Sequence, residues 1–342
     1  MWVSLEKDMN PVDETRIKTR EDGVSIVIAS YNSRNRITET LEALSKQETS
    51  GIATEIIFVD NNSNDGTSQI VEEVWRKLGE PIPLKMLFHE IPGVMEARIR
   101  GFAECRYRIV VVCDDDNHLA VNYVVTAHEL FAGNPALGIV GGISYPDAKS
   151  ELPDWFEDYS SFFACGDRGL ERGRLEGIDA WVWGAGMAFR LDVLERLLKA
   201  GFRNRVGGRT GNSLLSGEDV EWCHWFDAVG YEIHFEPKLQ LTHFIEDRKL
   251  TDEYLVNLKE GIAVSGKRLA DYYSLLRGLE IRRRRIYTKP VLLARVIAKM
   301  MSGKDYQPEV VASMPSLNFL MKPGVSELCG YRERFLLGIR EE

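Results

Sequence analysis

Apolar positions along this chain fall into short unbroken runs, each closed by a polar turn and followed by a stretch of helical period. Residues 24–29 are apolar apart from Ser25 and stop at Ser30, Tyr31, Asn32 and Ser33; Ile37, Leu41 and Leu44 then share one helical face. A second run, Ile56, Ile57, Phe58 and Val59, ends in the polar segment 60–67. Ile70, Val74 and Leu78 follow at helical spacing, with Gly79 as a C-terminal cap and Pro81 beyond it. Strands that are apolar throughout need cover on both faces, so this strand–turn–helix repetition predicts parallel β-α units. Leu87 and Phe88 suit a further short strand, and Gly93 opens a helix carrying Glu96, Arg98 and Arg100. A third run, Val110, Val111 and Val112, leads through Cys113 into Asp114, Asp115 and Asp116. Three carboxylates at a strand end are either a solvated acidic turn or oxygen ligands for a hard cation at the rim of a cleft. Ligands of open parallel sheets bind outside the carboxyl ends of the strands, which places residues 29–32, 60–62 and 114–116 on one rim.

Further along, Tyr123, Ala127, Leu130 and Phe131 form a helix face, and residues 137–143 read as a glycine-rich strand. Residues 146–178 are irregular and aromatic, suiting a lid or acceptor platform, or simple packing. Residues 180–189 read as one strand in which glycines permit close backbone approach. A helix over 192–200 precedes the basic, glycine-rich segment 203–212, and Glu218 and Asp219 then open a helix bearing Trp222 and Phe226. Two strands, 231–235 and 239–242, lead to His243. The text is helical from Thr251, and Arg282, Arg283, Arg284 and Arg285 precede a helix through Val291, Leu292, Val296 and Ile297. Residues 306–342 show no clear pattern. The expected division is a lead-in over 1–22, one α/β domain over 23–245 and a C-terminal helical extension over 246–342.

Bulk composition narrows the function classes. The 342 residues are 44% hydrophobic and 28% charged, with a formal net charge of −9, which argues against coating nucleic acid. No apolar run reaches transmembrane length, and the N-terminal residues lack a signal-peptide core. The five cysteines form no C-x-x-C pair, pointing away from zinc and disulfides and toward a reducing, cytoplasmic setting. The arginine run reads either as a charged helix junction or as peripheral contact with the inner membrane surface.

The order of Ala29-Ser30-Tyr31-Asn32, Val59-Asp60-Asn61-Asn62-Ser63 with Asp65-Gly66-Thr67, Ala97-Arg98, Asp114-Asp115-Asp116, Gly184-Ala185-Gly186 and Gly217-Glu218-Asp219 resembles that of family 2 glycosyltransferases. The resemblance covers roughly residues 24–243. It implies the GT-A fold, a mixed, mainly parallel sheet flanked by helices. It also implies a nucleotide-diphospho-sugar donor, a divalent cation (Mn²⁺ or Mg²⁺) and inversion at the anomeric carbon. Asp114 and Asp116 match the ends of the family's D-x-D element, the first toward the ribose or the metal and the last toward the metal. Asp115 takes the variable middle position on the nucleotide side. Asp60 would recognise the base, with Asx-turn closure as its bland alternative. Tyr31 would flank the base, Ala29 would give backbone contacts, and Arg98 would face the phosphates or sugar.

Inverting displacement needs a carboxylate to take the acceptor's hydroxyl proton, a role the resemblance gives to Asp219, with Glu218 positioning it. The bland alternative is that both simply favour a helix N-terminus. Arg203, Arg205 and Arg209 are placed to close over a diphosphate. His243 is either a further metal ligand or a structural histidine. Gly184-Ala185-Gly186 does not continue as a dinucleotide fingerprint, since Phe189 stands at the sixth position. In this reading it lines the acceptor side with Trp181 and Trp183. The acceptor would be a saccharide or lipid-linked saccharide in polysaccharide or glycoconjugate assembly. Two alternatives are a catalytically silent nucleotide-sugar or carbohydrate-binding protein and a sugar nucleotidyltransferase; the latter is disfavoured because no glycine-rich phosphate loop follows the first strand.

Overall fold

Successive side chains of a strand point to opposite faces, so an all-apolar strand must have a core on each side. The computed structural model, which describes residues 20–49, 51–202, 204, 206 and 216–286, has that arrangement. In chain order the elements are β1 (Glu21–Ser30), α1 (Ile37–Ser45), β2 (Thr54–Asp60), α2 (Thr67–Lys77), β3 (Leu84–Phe88), α3 (Val94–Glu104), β4 (Tyr107–Val112), β5 (Asn117–Leu119), α4 (Tyr123–Gly133), β6 (Leu137–Asp147), α5 (Phe156–Tyr159), β7 (Gly173–Leu175), β8 (Ala188–Arg190), α6 (Leu191–Lys199), α7 (Glu218–Ala228), β9 (Glu232–Phe244) and α8 (Asp252–Ile286). Ile26, Ile28, Ile56 and Phe58 pack beneath Leu41 of α1, Trp75 of α2 and Tyr123 of α4. Val27, Ile57, Val59 and Val110 pack on the other face with Phe102 of α3, Leu194 of α6 and Trp222 of α7. The result is a helix–sheet–helix sandwich. Each fully buried aliphatic side chain contributes roughly 1.5–3 kcal/mol, so the two cores together secure the sheet.

The strand order is β3-β2-β1-β4-β8-β6-β9-β5, with β7 also paired to β9. Pairing is parallel from β3 through β4. Short β8 runs antiparallel between β4 and β6. The chain order reverses at β1, whose neighbours are β2 and β4, so a crevice opens at the carboxyl ends of β1 and β4. Ser30 and the acidic triplet stand at that crevice.

Several expectations shift in detail. Regular structure starts at Glu21, ahead of Val24. Residues 180–189 are not one strand: only β8 pairs, and the preceding glycine turn is tied to β4 by hydrogen bonds from Gly186 N to Val112 O (3.0 Å) and from Val112 N to Met187 O (2.8 Å). The two strands expected over 231–242 are one, β9, which includes His243. Pro237, between the two expected strands, is taken up where the β6–β9 register jumps between Gly141↔Phe235 and Ile143↔Gln240, a bulge that spares a proline from the ladder. Within 146–178, Phe156 and Phe163 are buried against Leu255 and Leu258 of α8, so packing is the job of these aromatics. The arginine run lies in the last turns of α8, and the helix expected through Val291 lies outside the described residues, as do Arg203, Arg205 and Arg209.

The bulge leaves no room for a side chain on Gly142. A Cβ there would stand 1.8 Å from the Leu239 carbonyl oxygen, against backbone that cannot swing aside. Gly142→Ala is expected to lower stability by at least about 1–3 kcal/mol, the usual scale for overpacking. Urea unfolding should show a lower midpoint with an unchanged slope.

Candidate active site

The acidic triplet is divided by its surroundings. Asp115 turns inward and is buried; its carboxylate receives Arg36 Nε (2.8 Å) and Nη2 (3.0 Å) as a two-pronged pair, and Ser30 Oγ (2.7 Å). Arg36 also donates to the carbonyls of Asn32 (2.9 Å) and Tyr31 (3.2 Å). This binds the turn after β1 to the turn after β4, across the crevice. Asp115 is thus a strut of the rim, its carboxylate taken up by Arg36 and Ser30.

Asp114 faces the α7 side. Arg98, on α3, is 5% exposed and donates to Asp114 Oδ1 (2.7 Å) from Nη2, with Glu218 Oε1 3.4 Å from Nη1. A solvated helix arginine is therefore excluded; Arg100, by contrast, pairs locally with Glu104 (2.6 Å). Glu218 and Asp219 open α7 as expected. Asp219 Oδ2 accepts from Gly184 N (2.8 Å) and Oδ1 from Val220 N (2.8 Å). Burial nevertheless raises the Asp219 carboxyl above its ordinary value, against those amides and the Arg98 charge. A carboxylate so tuned is a better proton acceptor near neutrality than a free one. The turn that supplies the Gly184 amide also carries Trp181 and Trp183, whose rings meet edge to face (6.4 Å) with the Arg168 guanidinium 3.2 Å over the Trp181 ring.

Asp116 faces the other way, toward β9. β5 pairs with β9 in the register Asn117↔His243, and Phe244 N donates to Asp116 O (2.8 Å). His243 Nε2 therefore lies 3.5 Å from Asp116 Oδ1, while Lys249 Nζ lies 3.2 Å from Oδ2. Burial alone would raise Asp116, but the His243 and Lys249 charges hold it well below the usual carboxylate range. In return, burial of His243 is outweighed by Asp116, which pushes the imidazole up to about 10. Among the described residues no three His, Cys, Asp or Glu side chains come together as a metal cluster. Asp114 turns to Arg98 and does not join Asp116 and His243. Asp116 offers the carboxylate oxygens that Mn²⁺ or Mg²⁺ takes, and His243 can add a ligand only in its neutral form, which the adjoining Asp116 charge opposes.

On the nucleotide side, Tyr31 is 54% exposed at the rim, as a base-flanking ring requires, and Ala29 pairs with Val59 just inside it. Asp60 is engaged by its own loop: Oδ1 accepts from Ser63 N (2.8 Å) and Oδ2 from the Ser68 hydroxyl. The turn role is thus present, whatever further contacts its remaining lone pairs accept. Sequence reading missed Arg36 and Lys249. The signal for both was charge balance, because buried carboxylates demand cations, but their identities depend on long-range folding.

The profile of Glycosyl transferase family 2 matches residues 25–198, just over half of the chain. The chain belongs to glycosyl transferase family 2. Among relatives of this family member, the probable glycosyltransferase YdaM of Bacillus subtilis is 28% identical over 228 residues, covering 63% of this chain and 49% of the relative. The glycosyltransferase AglE of Haloferax volcanii is 25% identical over 218 residues, covering 62% and 64%. The chain thus spans about half of the first relative and less than two thirds of the second. A solved mannosyltransferase from Pyrobaculum calidifontis, in complex with GDP-Man and Mn²⁺, shares the fold, with a TM-score of 0.50 and 18% identity over 93% of this chain and 86% of that one.

Proposed function

We propose that this family 2 glycosyltransferase moves a sugar from a nucleotide-diphospho-sugar donor to a hydroxyl of a saccharide or lipid-linked saccharide, with inversion. The observation that carries the reading is the Arg98 bridge between Asp114 and Glu218, which puts a donor-side carboxylate and the Asp219 base on one rim. The acceptor oxygen attacks the anomeric carbon, its proton passes to Asp219, and the carbon–oxygen bond to the diphosphate breaks on the opposite face. Asp219 is aimed by the Gly184 and Val220 amides, and Glu218 with Arg98 fixes the start of α7. Arg98 holds Asp114 toward the sugar and ribose. Tyr31, Ala29 and Asp60 line the nucleotide end. Asp116 and His243 would hold a divalent cation, which supplies Lewis-acid stabilisation of the charge gathering on the departing diphosphate. Trp181 and Trp183 offer ring faces to acceptor C–H groups. The solved mannosyltransferase that shares the fold holds GDP-Man and Mn²⁺, which supports the donor and metal assignments. The biological setting proposed is polysaccharide or glycoconjugate assembly.

The test is purified protein with Mn²⁺ and a panel of UDP-, GDP- and dTDP-sugars, first by thermal shift and then by diphosphate release with saccharide acceptors. One donor is expected to raise the melting temperature, since a ligand that binds only the native state stabilises it. The same donor should give acceptor-dependent release that EDTA abolishes. Donor binding without release from any acceptor would favour the silent binding protein.

A further inference from the structure

The 3₁₀ turn Asp247–Lys249 returns a lysine to the rim just after β9. Lys249 Nζ is 3.2 Å from Asp116 Oδ2 and 4.0 Å from Glu246 Oε1, and its side chain is only 13% exposed. Lysine normally keeps its ammonium in water, and withdrawing it is costly unless a counter-charge waits there. The turn itself is fixed. Lys249 N donates to Glu246 O (2.7 Å), Asp247 Oδ1 accepts from Ser150 N (3.3 Å), and α8 beyond it is anchored by buried Leu255 and Leu258. Among the described residues the arginines at the rim are committed. Arg36 forks onto Asp115 and two carbonyls, and Arg98 spans Asp114 and Glu218. Lys249 makes point contacts through a four-carbon stem, so its ammonium reorients without breaking a planar fork.

The geometry points to Lys249 as a diphosphate-binding residue of the donor site, neutralising Asp116 before the donor arrives and pairing with the donor's diphosphate afterwards. The inference rests on the proposed glycosyl-transfer reading, which sets the diphosphate beside Asp116. A nucleoside diphosphate brings negative charge to a rim already holding Asp114, Asp115, Asp116 and Glu246. A tethered ammonium offsets that charge at the point where it collects.

Calorimetric titration of the full chain with UDP and GDP, against uridine and guanosine, with and without Mn²⁺, tests this in wild type, Lys249→Met and Lys249→Arg. Lys249→Met is expected to weaken the bound diphosphate about tenfold, the scale of one charge-assisted contact, and to leave the nucleoside unchanged. Lys249→Arg should restore most of the loss. Unchanged nucleoside binding shows that the variant is folded. Equal diphosphate affinity in wild type and Lys249→Met overturns the inference while the donor reading stands. Diphosphates bound by wild type no better than their nucleosides overturn both. Diphosphate binding that ignores Mn²⁺ but needs Lys249 supports the inference and sinks the metal assignment.

Discussion

Asp219→Asn is expected to lower kcat by about 10²–10⁴-fold, the range for removing a general base, with donor binding intact. The amide keeps an oxygen to accept one of the two backbone N–H groups, so α7 should start where it does now. The pH profile separates loss of a base from loss of shape. Only ionised Asp219 takes a proton, so wild-type activity is present above its folded pKa and falls as pH drops through it. Because burial raises that pKa, the acid limb should lie above the ordinary carboxylate range. The residual activity of the variant should lack this limb. Stability runs in the opposite sense. A carboxyl raised by folding contributes stability that is fully present below its unfolded pKa and is lost as pH rises through the folded one. Ionising Asp219 therefore costs the fold some of its stability. A wild-type acid limb at the value of a free carboxylate, or a variant limb identical to wild type, would remove Asp219 from the mechanism.

Arg98→Ala is the second large effect, and it acts on stability as well as on rate. The guanidinium is buried between Asp114 and Glu218, so its removal takes one buried counter-charge from both carboxylates beside Asp219. Breaking a buried pair costs about 3–5 kcal/mol; about 3 is expected here, since Asp114 keeps partial contact with water that screens it. Glu218→Gln in the Arg98→Ala background should recover part of the loss, because one of the two carboxylates that lost the guanidinium is now neutral. Additive urea-unfolding energies for the two changes would mean that the residues do not interact as their geometry requires. Donor binding should also weaken, since Asp114 is no longer held.

The β-α units, the shared rim and the placing of Glu218 and Asp219 at the start of α7 were legible because local pattern decides them. Val110–Val112 had to be buried and Asp114 could not be, so a strand had to end between them. What escaped was set by distant partners. β5 is three residues long, with an apolar Leu119 and nothing else to mark it, and exists because β9 offers an edge. The segment 180–187 is apolar enough for a strand, yet Gly184 and Gly186 let it fold back onto β4. The gap expected between 231–235 and 239–242 is a bulge within one strand. The resemblance divided the triplet by role, but the partners that divide it physically were out of reach for the same reason. Three identical side chains in a row differ only in whether Arg98, Arg36 or Lys249 stands opposite, and those lie far off in the chain.

The β5–β9 ladder has a consequence for how the rim is entered. Asp116 and His243 are remote in sequence, yet the backbone bond from Phe244 to Asp116 sets their spacing as the sheet forms. The conformational entropy of bringing them together is lost once, during folding, and not again at each encounter with a ligand. A visiting cation or diphosphate meets a pair already assembled, and the free energy of its binding goes into affinity instead of ordering.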